Sequence, residues 1–347
     1  YEIHERLVGS EMCIRDSYNS ELSQNQRLFT VYKRIAEGMG STASPERALV
    51  EHALLEFNLG GINLPEAQQA RLREIRESLT QLQARFEQNL LDAMLAWQHH
   101  TTDVNTLSGL PESALSAAKQ AAEAESKEGW LLALDQPSYV AVLTYAKDPE
   151  LREKFYKAWC TRASDQPPSP EPFDNTKNMA QILTLRQEMA QLLGYKSYAD
   201  YALATRMAGT VAEVTGFLQE LAGVSMPAAK RELKELEVFA GRELAPWDIA
   251  YYSEKLRLQR FSISDEELRP QIPLDRVLAG LFGLVRQLYD IELEQLPNAD
   301  VWHPDVRYYS VKNRGGTIFG GVYVDLYARK NKRAGAWMDE CLSLIHI

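Results

Sequence analysis

Six histidines are the first residues to consider for metal or proton-transfer chemistry in this 347-residue chain. They are His4, His52, His99, His100, His303 and His346. No two have the i, i+4 spacing that places two imidazoles on one face of a helix. The sequence therefore has no His-Glu-x-x-His motif, in which two histidines bind zinc and the glutamate activates a metal-bound water.

The histidines taken singly also favour structural roles. His99 and His100 follow a predicted helix, and adjacent helical residues point about 100° apart, so a shared metal is disfavoured and a solvated helix end is expected. On another predicted helix, His52 is expected to be a partly buried imidazole with its hydrogen bonds satisfied. His303 is the best candidate for a site, because Asp305 could orient its ring. His-Pro-Asp is also typical of a turn, and we favour the turn.

Other motifs for catalysis are absent or weak. The run from Gly315 to Gly321 resembles a phosphate-binding loop but lacks the Gly-Lys-Ser/Thr ending and is placed between two predicted strands. There is no Gly-x-Ser-x-Gly nucleophile elbow, and Cys160 has no histidine near it in sequence. Three cysteines give neither a disulfide framework nor a Cys-x-x-Cys metal site. Covalent catalysis and phosphate binding therefore have no support.

A set of aromatic residues leaves two interpretations open. These side chains could line a peptide channel or could equally form core: Tyr251, Tyr252, Trp302, Tyr308, Tyr309, Tyr323 and Tyr327.

Composition excludes some classes of protein. A net charge of −10 argues against a general nucleic-acid binder, which needs clustered lysine and arginine. No apolar run approaches the ~18 residues of a membrane span.

The elements that must position these residues are mostly helices. Caps, prolines and apolar spacing predict helices over 21–37, 45–58, 65–97, 111–127, 149–159, a helix ending at Gly194, and one or two helices over 211–240. The proline-rich stretch 165–173 is predicted to be a loop, and Ser264 with Glu267 a capping box. Two apolar faces are expected to be buried: Val214, Phe217, Leu218 and Leu221, then Leu278, Leu281, Phe282, Val285 and Leu288.

One β-hairpin stands out near the C-terminal end. Residues 306–311 and 322–327 alternate between unlike side chains, which is the period of a strand. Between them, Gly315 and Gly316 supply the glycines that a tight turn requires. The segment 130–134 could be a loop or a brief strand. The sequence thus predicts a mostly α fold with a single small β-hairpin.

Several sequence blocks are similar to one known family, in that family's order. They are Tyr145-Ala146-Lys147-Asp148-Pro149-Glu150-Leu151-Arg152, Thr161-Arg162-Ala163-Ser164-Asp165, Pro246-Trp247-Asp248-Ile249-Ala250-Tyr251-Tyr252, Trp302-His303-Pro304-Asp305-Val306 and Asp325-Leu326-Tyr327-Ala328-Arg329. Over residues 18–341 the chain resembles the M3 family of zinc metallopeptidases, the thimet oligopeptidase group.

The resemblance implies an organisation for the chain. Residues 18–147 would form a helical N-terminal domain, and 148–341 the N-terminal part of a helical zincin-type catalytic domain facing it across a deep channel. Taken alone, the prolines at 165–173 would place the boundary there. The zinc motif of the family lies C-terminal to the block around Trp337, so the zinc ligands are expected to be absent from this chain. The ends, 1–17 and 342–347, match nothing in the family and are expected to be non-native.

The implied function is that of the parent protein. It would be a zinc-dependent oligopeptidase that binds one zinc ion and hydrolyses short peptides, and this chain alone would be inactive. No residue here is assigned a catalytic, cofactor-binding or metal-binding role. The expected partners are short peptides, with neither nucleic acid nor membrane, and the protein is expected to be a cytoplasmic monomer. The alternative is a non-catalytic α-helical peptide-binding scaffold, or a pseudo-enzyme.

Overall fold

The computed structural model describes residues 18, 21–40, 44–327, 329 and 332. Its helices are α1 Gln26–Gly38, α2 Pro45–Leu59, α3 Glu66–Ala96, α4 Glu112–Ala124, α5 Gln136–Tyr145, α6 Pro149–Cys160, α7 Thr176–Leu192, α8 Tyr198–Leu203, α9 Val211–Ala240, α10 Ile249–Phe261, α11 Asp265–Leu268 and α12 Leu274–Tyr289. Its strands are β1 Gln98–Thr101, β2 Trp130–Ala133, β3 Ile291–Gln295, β4 Arg307–Asn313 and β5 Ile318–Val324. The fold is mostly α, as the sequence predicts.

The described residues form two compact units. The first contains the residues up to Ala96 together with Thr161–Lys234, and the second contains Trp97–Cys160 together with the chain from Glu235 onward. The expected domain boundary at Asp148 stays a prediction. The expected non-native ends, 1–17 and 342–347, and the family block around Trp337 lie outside the described residues.

In the first unit, α3 packs along α7. Leu72, Ile75 and Leu79 recur every three or four residues on α3 and are buried against Ile182 and Met189 of α7. The start of α2 follows the predicted chemistry, because the Ser44 hydroxyl accepts a hydrogen bond from the Arg47 N–H. The long α3 ends at Ala96, within one residue of the predicted position.

In the second unit, α4, α5 and α6 surround one core. Fully buried members include Leu107, Leu132, Val142 and Phe155. The segment 130–134 contributes strand β2, which pairs antiparallel with β1. A brief strand was one of the two alternatives for this segment, whereas β1 was not predicted, because four-residue strands are too short to show a period.

The second unit also contains a three-stranded antiparallel sheet in the order β3-β4-β5. The predicted hairpin is β4 and β5, and Gly316 in its turn has φ of +78°. The prediction of a hairpin alone was incomplete, because β3 adds a third strand on the other side of β4. Its alternation of Ile291 and Leu293 with Glu292 and Glu294 was the available signal.

The structure contradicts both predicted buried helical faces in part. On α9, Phe217, Leu218 and Leu221 are 64%, 53% and 53% exposed. On α12, Leu278 is buried, whereas Leu281 and Leu288 are 50% and 64% exposed. An apolar stripe predicts that a helix face needs a partner, but it does not say that the partner lies among the described residues.

Candidate functional site

An aromatic cluster lies at one end of the three-stranded sheet. Tyr308 of β4 and Tyr323 of β5 are direct partners in the antiparallel register, and their ring centroids are 4.6 Å apart. Trp302 lies 5.0 Å from Tyr323, centroid to centroid. Trp302 is 59% exposed and Tyr323 is 47% exposed. These three residues, called the aromatic cluster below, form an apolar surface that a ligand could contact.

Gly321 makes the arrangement of the aromatic cluster possible. Gly321 neighbours Tyr323 on the same face of β5, since strand side chains two residues apart share a face. A Cβ atom at this position would overlap the hydroxyl and ring of Tyr308. The glycine therefore leaves the space that the Tyr308 side chain occupies.

Asp325 anchors the aromatic cluster through charge-assisted hydrogen bonds. It accepts two from the Arg329 guanidinium at 2.6 and 2.7 Å, one from Lys332 Nζ at 3.1 Å and one from Trp302 Nε1 at 3.2 Å. The hydrogen bonds from Arg329, then those from Lys332 and Trp302, outweigh partial burial and hold the pKa of the Asp325 carboxyl well below its usual value. The carboxylate stays ionised and holds the indole of Trp302, so it is poorly suited to act as a proton-transfer group.

The open edge of β5 lies beside the aromatic cluster. In the part of the chain that the structure describes, β5 pairs with β4 only. An edge strand presents unpaired backbone N–H and C=O groups, and an extended peptide can add to it as a further strand. The arrangement can therefore bind a peptide through its main chain and its apolar side chains.

A second cluster is buried and joins two of the sequence blocks described above. Arg152 of α6 donates from Nη2 to Asp248 Oδ1 at 2.6 Å, and both side chains are at most 2% exposed. Arg242 donates to Asp248 Oδ2 at 2.7 Å. The Arg152 guanidinium also lies 4.3 Å from the ring centroid of Tyr251 on α10. This buried ion pair therefore ties α6 to the segment that begins α10.

The buried ion pair is structural in its chemistry. Burial alone would raise the pKa of the Asp248 carboxyl, but hydrogen bonds from Arg152 and Arg242 outweigh it, so the pKa lies below the usual value. Arg152 also donates to the carbonyls of Ala146 and Lys147. Asp248 accepts from two guanidinium groups, so it is not free to act as a general base.

The structure corrects the expectation for His99 and His100. They lie on strand β1 and not at a helix end, so their side chains point to opposite faces. His99 packs against the Phe155 ring, and its Nε2 is buried with no hydrogen-bond partner among the described residues. His100 is exposed, and its Nε2 lies 2.6 Å from the Glu128 carbonyl oxygen. The two imidazoles do not form one site.

The burial of His99 predicts a pH dependence of stability. Burial, then Lys154 and His100, lower the pKa of His99 below 6.5, opposed by Asp148. As the pH falls, His99 therefore binds a proton at higher pH in the unfolded chain than in the folded chain. The free energy of unfolding should fall as the pH drops below about 6.5. We expect the thermal midpoint of wild type to fall more between pH 7 and 5 than that of His99→Gln. The exposed neighbour provides the control: His100 makes the smallest of these contributions, so His100→Gln should change the pH dependence far less than His99→Gln. A pH dependence of His99→Gln identical to that of wild type would contradict the assignment.

The other candidate residues also stay separate. His52 was expected to be partly buried, but its side chain is 57% exposed and lies 3.5 Å from Glu56. His303 Nδ1 accepts from the Asp305 N–H at 3.2 Å, and the His303 carbonyl accepts from the Val306 N–H, as in the favoured turn. Cys160 is exposed. Its hydrogen bond with Tyr156 raises the pKa of that phenol.

The described residues do not fit a zinc site. No group of three histidine, cysteine, aspartate or glutamate side chains lies close enough together among them to hold a metal ion. The described histidines are dispersed as above, and His4 and His346 lie outside the described residues.

Among the helices that the structure describes, every one is too short or too polar to span a bilayer.

The sequence left open whether the seven aromatic residues line a channel or form core. The structure places them in different surroundings. Tyr309 is core, 5% exposed and packed on Phe282 of α12. Tyr251 and Tyr252 lie against arginine side chains of the second unit. Trp302, Tyr308 and Tyr323 form the aromatic cluster, and Tyr327 is half exposed. The role of Gly321 in leaving space for Tyr308 could not be predicted from the sequence, because it depends on the pairing register of β4 and β5.

Comparison with known proteins places the chain in a family. The profile described as "Peptidase family M3" matches residues 142–344. The chain is 44% identical over 332 residues to Oligopeptidase A of Escherichia coli (strain K12), covering 94% of this chain and 49% of that protein. It is 41% identical to Oligopeptidase A of Haemophilus influenzae (94% and 49%) and 37% identical to the Probable cytosolic oligopeptidase A of Arabidopsis thaliana (94% and 48%). The chain spans about half the length of these relatives, and it belongs to peptidase family M3.

Proposed function

We propose that this chain forms the peptide-binding part of a zinc-dependent oligopeptidase that hydrolyses short peptides. The identity of 44% over 94% of the chain with the E. coli protein named Oligopeptidase A supports this most directly. In such an enzyme zinc would activate a water molecule for attack on the peptide carbonyl. The described residues hold no ligand set for that ion, so we expect this chain alone to bind no zinc stoichiometrically and to hydrolyse nothing.

The residues of this chain would bind and orient the peptide. An extended peptide would pair its main chain with the open edge of β5 and place apolar side chains against the aromatic cluster. Asp325 would hold the Trp302 ring in place through its indole N–H. Binding through main-chain groups tolerates many sequences, which suits a peptidase that acts on varied short peptides.

Three finer features belong to the same proposal. The catalytic domain would begin near Asp148, and the start of the family match at residue 142 supports this. The parent protein would be a monomeric endopeptidase, cutting inside its peptide substrates. It would work in the cytoplasm, in line with the name of the cytosolic relative.

A chimera tests the proposal. This chain would replace the matched 332 residues of E. coli Oligopeptidase A, and the chimera and this chain alone would be assayed on short internally quenched peptides. We expect hydrolysis by the chimera that a chelator abolishes and that zinc restores. The chain alone should show neither hydrolysis nor stoichiometric zinc uptake; either would show that the metal site has been misplaced.

A variant of the chimera tests the peptide-binding role. Trp302→Ala should raise KM about tenfold with kcat little changed, because it removes a contact made equally by substrate and transition state. Phe261→Ala on α10, 67% exposed and outside the aromatic cluster, is the matched control and should leave KM unchanged. An inactive chimera whose folded chain still binds short peptides would favour the non-catalytic scaffold instead.

A further inference from the structure

Helix α9 is the most exposed long helix among the described residues. It has 30 residues, of which only Leu236 is buried. Residues 214–228 of α9 include five apolar side chains, called the α9 stripe below: Val214, Phe217, Leu221, Val224 and Ala228. Phe217, Leu221 and Val224 are 64%, 53% and 74% exposed. A long helix in water draws most of its stability from packing, so this stripe requires a partner.

The spacing of the α9 stripe specifies what kind of partner fits. Successive members are three, four, three and four residues apart, the a/d repeat by which one helix packs its side chains between those of another. No member is charged, so nothing in the stripe opposes burial. The geometry therefore suits an amphipathic helix with the same repeat.

Helix α12 carries a stripe of the same kind. Val277, Leu281, Leu284 and Leu288 are spaced by four, three and four residues and are between 46% and 64% exposed. The other apolar side of α12 already packs on the sheet through Phe282 and Tyr309. Gly280, one turn before Leu284, has nothing within 4 Å of where its Cβ would be, which leaves room for close approach of a second helix.

The comparison with relatives indicates where the partner helix comes from. Both helices lie inside the 142–344 region that matches the family, so the stripes belong to the family part of the chain. The match covers only 49% of the E. coli relative, which leaves a second part of similar length to supply helices. We infer that the α9 stripe docks an amphipathic helix from the half of an M3 peptidase chain that this chain does not span. The inference rests on the proposed function.

A second copy of this chain fits the stripe less well. The α9 stripe runs from residue 214 to 228, or about two heptads, whereas a self-standing two-stranded coiled coil needs about three to four. A helix that belongs to a larger folded body does not need that length, because other contacts of the same body share the burial. The covering half of the peptidase is therefore the occupant to test first.

The test uses the part of E. coli Oligopeptidase A outside the matched region as a separate polypeptide. It would be co-expressed with this chain, and the complex would be measured by size-exclusion chromatography with light scattering and by titration calorimetry. We expect a 1:1 complex. The double variant Phe217→Glu, Val224→Glu should weaken it by at least about 100-fold, because docking would bury two carboxylates without partners. Gln219→Glu, on the opposite side of α9, is the matched control and should bind as wild type.

Further measurements distinguish a loss of docking from a loss of folding and from a failure of the proposed function. Both replaced side chains are exposed, so the double variant should keep the circular dichroism and the urea midpoint of the wild-type chain. Undiminished binding by the double variant would overturn the inference, as would self-association of the chain that this variant abolishes. A complex that forms but hydrolyses no peptide would contradict the proposed function alone. An active chimera whose activity and stability are unchanged by the double variant would contradict the docking alone.

Discussion

Replacing Arg152 by methionine should lower the free energy of unfolding of the second unit by about 3–5 kcal/mol. The substitution keeps an unbranched side chain but removes the guanidinium, which leaves the Asp248 carboxylate buried with Arg242 as its remaining cationic partner. It also removes the hydrogen bonds to the Ala146 and Lys147 carbonyls. Urea unfolding followed by tryptophan fluorescence, together with Phe155 side-chain NMR signals from the core, would measure the loss.

Two variants distinguish a lost charge partner from lost packing. In Arg152→Met, Asp248→Leu no buried charge is left, so much of the lost stability should return. Arg71→Met removes an exposed ion pair with Glu188 by the same chemical change, and its effect on the midpoint should be far smaller. An Arg152→Met midpoint equal to that of Arg71→Met would show that the buried pair does not hold α6 to the segment before α10.

The Arg152 variant should also alter the acid sensitivity of the second unit. The pKa of Asp248 is depressed in the folded chain, so its stabilising contribution is present above the unfolded pKa and is lost as pH falls through the folded pKa. Arg152→Met removes one hydrogen bond that depresses this pKa. The part of the stability that depends on ionised Asp248 should therefore be smaller in the variant, which should lose less stability than wild type as pH falls below the unfolded pKa, as titration of the unfolding midpoint would show.

Gly321→Val should destabilise the three-stranded sheet by about 3 kcal/mol and displace the aromatic cluster. The new side chain would occupy the space of the Tyr308 ring, which would have to leave its position opposite Tyr323. Because Trp302 packs on Tyr323, its fluorescence should shift toward that of a fully exposed indole. The midpoint of urea unfolding and the emission of Trp302 are the two measurements.

The neighbouring glycine provides a matched control. Gly320→Val makes the same chemical change on the opposite face of β5, where the nearest atom to a Cβ would be that of Val311 at 3.9 Å. It should leave the fluorescence of Trp302 unchanged and cost little stability. Equal effects of the two substitutions would mean that strand propensity, and not the space for Tyr308, explains the result.

Local chemistry in the sequence was sufficient for most of the elements. Three signals each act within a few neighbouring residues: the Ser44 cap before Pro45, the apolar period of α3 and the glycines of the β4–β5 turn. Such signals can be recognised in the sequence without knowledge of the fold. The membership of family M3 could also be predicted, because its blocks are contiguous runs of sequence. Strand β1 was not predicted, and β2 was predicted only as one of two alternatives, because each has only four residues.

Tertiary structure alone decided which of these residues meet. Arg152 and Asp248 are 96 positions apart, and neither shows in the sequence that it will be buried beside the other. The sequence also does not determine whether an apolar helix face is covered. Leu72 on α3 is buried and Phe217 on α9 is exposed, although both belong to a helical apolar stripe. The sequence by itself determined most of the helices, the hairpin and the family, because these depend on short-range patterns. The buried ion pair, the aromatic cluster around Gly321 and the open stripe of α9 depend on long-range packing, which only the folded chain defines.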